Sequence, residues 1–308
     1  MRDKLLGETG LLSPSCAVTS FSLGNVETLH SWKLSQLASP ALLQHLGPNL
    51  VHLSLVNMSL SGHIPEEIGD CCINIEYLHV GNNPTLTGPI PTNWENLRKL
   101  KDVELWATDV NGPIPSSFFS GATELRKVAF QKTQLSGEIP DSIGRLTKLK
   151  ILILGETQIS GEIPASLFRC TDLEELSLNS TKMSGNLPDA IGQLTKLCKL
   201  RLDETQISGE IPANLCKCTD LELLNLAKTQ MSGNLPESIG QLTKMKLLYL
   251  EDTNFSGELP KSLSNLKQIE SICLHNTRIE KPKGADQRTR TYRRIRAKHM
   301  SQDLGSTV

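Results

Sequence analysis

His52 and His79, the cysteine pairs Cys71–Cys72 and Cys216–Cys218, and the serines of recurring Ser-Gly dipeptides are the side chains whose types could carry metal or nucleophilic chemistry. Neither cysteine pair is separated by enough residues to form a metal-ligand motif. Placed on adjacent strands, the two histidines would stand about 5 Å apart. A metal would need a third ligand and the pattern supplies none, so they read as an ordinary polar pair. The Ser-Gly dipeptides recur along the whole chain, as turn residues do and a single nucleophile does not. No G-x-S-x-G, phosphate-binding loop, dinucleotide fingerprint or H-E-x-x-H run is present. The expectation is therefore no enzyme, no cofactor and no metal. What remains is binding, and the question becomes which elements present the binding side chains.

Those elements follow from a repeat. Leu149, Leu173, Leu197, Leu221, Met245 and Ile269 stand at one constant interval, and each opens a run of the L-x-x-L-x-L type. Leu50, Ile75, Leu100 and Leu125 extend the series backwards at spacings of 25 and then 24. A period of roughly 20 to 29 residues with this pattern predicts a leucine-rich repeat solenoid. Single units cannot bury their apolar face, so they stack on one another. The expected fold class is an α/β solenoid, a right-handed horseshoe with a parallel sheet on its concave face. Short 3₁₀ or α segments should line the convex side. The repeats should occupy 50–280, after a disordered segment 1–15 and a cap over 16–49. That cap includes a degenerate first strand around Phe21 and a helix over 34–46.

Each position in a repeat has a physical role. Alternation along a strand sends Leu224 and Leu226 into the core and Leu223, Asn225 and Ala227 outward. A threonine follows each strand from Thr108 to Thr277, and its hydroxyl is expected to satisfy backbone groups at the turn. Asn83 holds this place in the second repeat. Met58 holds it in the first and cannot hydrogen-bond, so that turn should be less well satisfied. A recurring glycine then points to positive φ. The recurring Ile-Pro or Leu-Pro places proline at the first position of a short helix.

The net charge of −1 hides a basic tail. Residues 281–308 carry +6, which leaves −7 for the rest. The tail reads as solvated and disordered, and one isolated tyrosine, Tyr292, argues against a nucleic-acid surface. No apolar run reaches the roughly 20 residues of a membrane span. Cys170 and Cys218 lie two repeats apart, nearly 10 Å at about 4.8 Å per strand, too far for a disulfide. They read as small buried apolar residues. With no export signal visible at Met1–Glu8, the chain as written reads as cytoplasmic. The last strand, from Ile269, is followed by polar sequence. Its exposed edge leaves room for a homo-oligomer contact or a further domain.

The segments Thr157–Leu167 and Thr205–Leu215, T-Q-I-S-G-E-I-P-A-x-L, resemble the plant-type leucine-rich repeat family over about residues 50–280. The resemblance implies a second short strand at Ser-Gly-x-Ile-Pro. It also implies kinship with receptor-like ectodomains and polygalacturonase-inhibiting proteins, which bind peptides, steroids, co-receptors or pectinases. Family kinship makes an extracellular or membrane-associated setting the alternative. The chain differs in carrying threonine where the family has a ladder asparagine, and it lacks the family's terminal cysteine pairs.

The expected function is a non-enzymatic module that binds a protein or peptide on its concave face, in signalling or defence. An enzyme inhibitor or regulatory subunit, or a truncated receptor ectodomain, is the alternative. The expected contact residues point outward from the strands. They are Tyr77, His79, Asp102, Glu104, Trp106, Lys127, Ile151, Ile153, Glu175, Arg201 and Tyr249. Exposed aromatic and arginine side chains dominate binding hot spots, which weights Tyr77, Trp106 and Tyr249. Ile151 and Ile153 are apolar where water is expected. The mixed charges otherwise read as a solvated face with local pairs.

Overall fold

A computed structural model describes residues 20–22 and 47–280. The helix expected over 34–46, the segment 1–15 and the tail 281–308 lie outside the described residues. The chain divides into two compact units, 1–135 and 136–308.

In the first unit the strands Ser20–Ser22, His52–Ser54, Tyr77–His79, Asp102–Glu104 and Lys127–Ala129 pair in parallel, each with the next. The first of them is the degenerate strand, with Phe21 in register with Leu53. In the second unit Ile151–Ile153, Glu175–Ser177, Lys199–Arg201, Leu223–Asn225, Leu247–Tyr249 and Ser271–Cys273 do the same. Leu176, Leu200, Leu224 and Leu248 are register partners. All four are fully buried, in a single interior row. This is the stack that the period predicts, and in each unit the fold is a leucine-rich repeat solenoid. Each three-residue strand turns one side chain inward, and the leucines before and after it complete the repeat's share of the core.

A second strand follows each turn, as the resemblance implies. Ser61–His63, Asn83–Gly88 and Thr108–Pro113 pair in the first unit. Gln158–Glu162 pairs with Lys182–Ser184 in the second. A further ladder there joins Ser208–Gly209, Gln230–Asn234, Asn254–Glu258 and Arg278–Glu280. Every glycine of the Ser-Gly series has φ between +75° and +87°. At Gly233 the φ of +80° disfavours any side chain, and an added Cβ would also press on the Glu210 side chain, 2.7 Å from its Cγ.

Proline sits one residue earlier than expected. Pro140, at φ −65° and ψ 142°, is the cap before the 3₁₀ turn Asp141–Arg145, and its carbonyl accepts the Ile143 amide at 2.9 Å. Its ring fixes φ while its ψ stays extended, so it enters the turn without belonging to it. Short α-helices appear at Glu67–Cys71 and Ser116–Gly121, and 3₁₀ turns in the other repeats.

The threonine row closes its turns as expected. Thr157, Thr181, Thr205, Thr229 and Thr253 are buried. Each hydroxyl donates to the carbonyl three residues earlier at 2.6–2.8 Å. The Met58 turn, however, is not poorly satisfied. Fully buried Asn83 reaches back one repeat. Its Oδ1 accepts the Met58 and Leu60 amides at 3.0 Å each. Its Nδ2 donates to the carbonyls of Leu55, Val80 and Gly81. An amide has both donors and an acceptor, and so can serve two turns where a hydroxyl serves one.

The cysteines are unbridged among the described residues. Cys170 and Cys218 donate to the carbonyls of Ile143 and Ile191 at 3.3 and 3.4 Å. Burial pushes their thiols up to about 12 and about 11, which leaves them inert packing groups.

Two outcomes are expected from urea melts. Asn83→Thr leaves the Met58 and Leu60 amides without their acceptor and lowers stability by about 2 kcal/mol. Thr181→Val removes one turn bond and costs about 1 kcal/mol. Equal costs for the two variants would show that Asn83 does not couple two repeats.

Candidate functional site

The length of one repeat puts His52, Tyr77 and Asp102 in one register row across three strands of the first unit. Ser54, His79 and Glu104 form the next row. All six point to the solvent-facing side of the sheet. Lys127 continues the first row on the fourth strand. His52 and His79 are therefore diagonal neighbours and not directly opposed. Their ring centroids are 5.5 Å apart, and the Tyr77 ring stands 5.5 Å from His52 and 6.4 Å from His79. Tyr77 is 36% exposed and is the outermost of the group.

The two acids differ in their partners. Glu104 is ion-paired to the Lys127 ammonium, and its other oxygen accepts the Trp106 indole N–H at 3.0 Å. Burial alone would raise its pKa. The bonds from Lys127 and Trp106, with the charges of His79 and Lys127, outweigh burial and hold it below the ordinary carboxylate range. Asp102 Oδ1 lies 3.4 Å from His79 Nε2. Neither atom is exposed, and neither forms a hydrogen bond. His52 Nε2 is a third buried polar atom without a partner. Burial holds the His52 imidazole below its ordinary range, His79 adds to this and Asp102 opposes it.

Trp106 owes its place to a glycine. A Cβ at Gly81 would lie 2.6 Å from the indole nitrogen, so the ring lies across the Gly81 backbone. The pattern of outward residues contains no sign of this contact, since Gly81 has no side chain to align.

His79, Asp102 and Glu104 each bring a ligand atom within 4.8 Å of the others. His52 is not in this group, so the two histidines stay a ring pair while a separate imidazole–carboxylate cluster forms around His79. The signal was present in the spacing. His79 and Glu104 are one full repeat apart, so their strands place them side by side.

The remaining expected residues lie in the second unit. Ile151 and Ile153 are half-buried on one strand, in register with Glu175 and Ser177. Ser177 is buried although its position faces outward, because its hydroxyl donates to Asn179 Oδ1 at 2.7 Å. Asn179 is itself buried. Glu175 pairs with Lys199 at 3.0 Å, and Arg201 Nε lies 3.6 Å from Asp203. Burial pushes the Asp203 carboxyl up, against the pull of Arg201. Tyr249 is half-buried between Asn225 and Cys273. Both faces carry ion pairs and buried polar atoms without a hydrogen bond, Asp203 Oδ1 and Glu251 Oε2 among them in the second unit. The first unit differs in gathering aromatic and imidazole rings beside its carboxylates.

A family model described as Leucine Rich Repeat matches at residues 49–71, 172–194 and 244–266. The chain is built of leucine-rich repeats. No curated protein sequence matches it. Among solved structures, the plant peptide hormone receptor RGFR1 in complex with RGF2 is similar at 26% identity. Its TM-score is 0.71, over 84% of this chain and 44% of that one. The ectodomain of the Arabidopsis receptor kinase HAESA, bound to an extended IDA peptide hormone, is similar at 28% identity. Its TM-score is 0.72, over 83% of this chain and 42% of that one. A leucine-rich repeat protein of Leptospira interrogans is similar at 25% identity. Its TM-score is 0.66, over 77% of this chain and 57% of that one. The chain thus spans less than half the length of the two plant receptors.

Gly81→Ala tests the packing of the leucine-rich repeat face. The indole is expected to leave the backbone and lose its bond to Glu104. Tryptophan emission then shifts to the red while the melting temperature changes little, because Trp106 faces solvent. An unchanged emission spectrum would place the indole elsewhere.

Proposed function

We propose that the chain is a non-enzymatic recognition module that holds a protein or peptide on the solvent-facing side of its inner strands, in signalling or defence. One observation carries the reading. On the strands His52–Ser54, Tyr77–His79 and Asp102–Glu104, aromatic, imidazole and carboxylate side chains occupy every outward position but Ser54. Trp106 extends the patch beside Glu104. Aromatic anchors flanked by charges make a contact surface, whereas a solvated face needs only paired charges like those of Glu175 and Lys199.

The solved neighbours support the same reading, since both plant receptors were captured with peptide hormones. They also support an extracellular, receptor-type setting over a cytoplasmic one. Among the described residues no helix is long and apolar enough to cross a membrane. Tyr77, His79, Asp102, Glu104, Trp106 and Lys127 are proposed as the contact set in the first unit. Ile151, Ile153, Glu175, Arg201 and Tyr249 form a separate set in the second.

The test is selection of binders from a displayed peptide library on the whole chain, followed by affinity measurement on variants. Trp106→Ala is expected to weaken a selected peptide by about 2 kcal/mol, roughly 30-fold, with the fold intact by circular dichroism. Peptides that bind wild type and Trp106→Ala equally would remove this face from the proposal.

A further inference from the structure

We propose that His79, Asp102 and Glu104, with His52 beside them, form a binding site for a divalent transition-metal ion of the zinc type. The site shares His79, Asp102, Glu104 and Lys127 with the proposed contact set, and metal titration in the absence of any peptide decides it separately.

Three adjacent strands deliver the donors. His79 is central, Asp102 is diagonal to it, Glu104 is its register partner, and His52 lies diagonally on the other side. The ligand atoms of His79, Asp102 and Glu104 fall within 4.8 Å of one another. The closest pair decides the chemistry. His79 Nε2 and Asp102 Oδ1 are 3.4 Å apart, yet neither forms a hydrogen bond and neither is open to water. The two atoms meet at ion-pair distance without the alignment of a hydrogen bond, an arrangement that a shared cation satisfies better. Zinc bonds to imidazole and carboxylate run about 2.0–2.2 Å, which sets the edge of a tetrahedron at roughly 3.3 Å. The observed separation is that edge. His52, whose ring lies 5.5 Å from that of His79 and whose Nε2 is buried without a hydrogen bond, is the neighbouring candidate for a fourth donor.

The donor set selects the ion. Two imidazoles with carboxylates suit zinc, copper or nickel, and do not suit calcium or magnesium, which take oxygen ligands. Lys127 is the built-in competitor, since its ammonium already holds a Glu104 oxygen. A bound dication must displace it. Removing that ammonium should therefore strengthen metal binding, which a merely structural cluster would not show.

The experiment is titration of the full chain, stripped with chelator, with Zn²⁺ by calorimetry and with Co²⁺ by visible absorption. Wild type is expected to bind one ion and to show the intense d–d bands of tetrahedral cobalt. His79→Ala and Glu104→Gln are each expected to lose at least about tenfold in affinity. Lys127→Met is expected to gain affinity, and His275→Ala, in the second unit, to change nothing. Melting curves with and without Zn²⁺ separate lost binding from lost folding in each variant. Wild type that binds neither ion would overturn the proposal. So would His79→Ala that folds and binds as wild type, or a site that prefers Ca²⁺.

Discussion

A single repeat cannot bury its own leucines, and every other feature of this protein follows from that. Leu200 is sealed only because Leu176 and Leu224 flank it in register. Burying such a side chain stabilises by roughly 1.5–3 kcal/mol, and the gain exists only after a neighbour has folded. The backbone obeys the same rule, since Leu202 donates its amide to Asn225 and Leu178 to Arg201 in the following repeat. Stability in each unit is therefore a sum over contacts between neighbouring turns.

Where the chain leaves the strand its backbone groups lose those partners, and the protein meets this in two ways. Threonine satisfies its own turn and asks nothing of the next repeat. Asn83 instead ties the turns of its own repeat and the preceding one with five bonds. The threonine turn leaves the coupling of repeats to the leucines and the backbone ladder. The asparagine turn makes two repeats one unit at that place, beside the strands that carry Tyr77 and His79.

The sheet faces of the two units have different electrostatics. In the second, lysine and carboxylate meet across adjacent strands, as at Lys150–Glu174 and Lys199–Glu175, with side chains partly in water. Such exposed pairs contribute at most about 1 kcal/mol and are screened by salt. In the first, Glu104 is more deeply covered than its lysine partner, and His79 Nε2 faces Asp102 Oδ1 at 3.4 Å with rings of His52 and Tyr77 beside them. Buried polar atoms without a hydrogen bond occur on both faces, at Asp102 and His79 in the first unit and at Asp203 and Glu251 in the second.

Period and alternation alone identified the repeats, the inward leucines, the positive-φ glycines, the threonine turns and the outward rows. All of these depend on a residue and its position within one turn. Proline one place early, Asn83 reaching back to the Met58 turn, and Ser177 buried on an outward strand were not legible. Asn83 depends on a side chain turning to meet a neighbour a repeat away, Ser177 on a side chain turning to one two residues on, and proline on the ψ its turn adopts. The site divides in the same way. The residues His52, Tyr77, His79, Asp102, Glu104 and Trp106 could be listed from spacing, because register is arithmetic. Only the tertiary structure turned His79 Nε2 toward Asp102, gave Glu104 to Lys127 and Trp106, and laid the indole on Gly81. Apart from the bond between Trp106 and Glu104 within one repeat, those choices are side-chain torsions set between neighbouring strands, and period and alternation do not encode them.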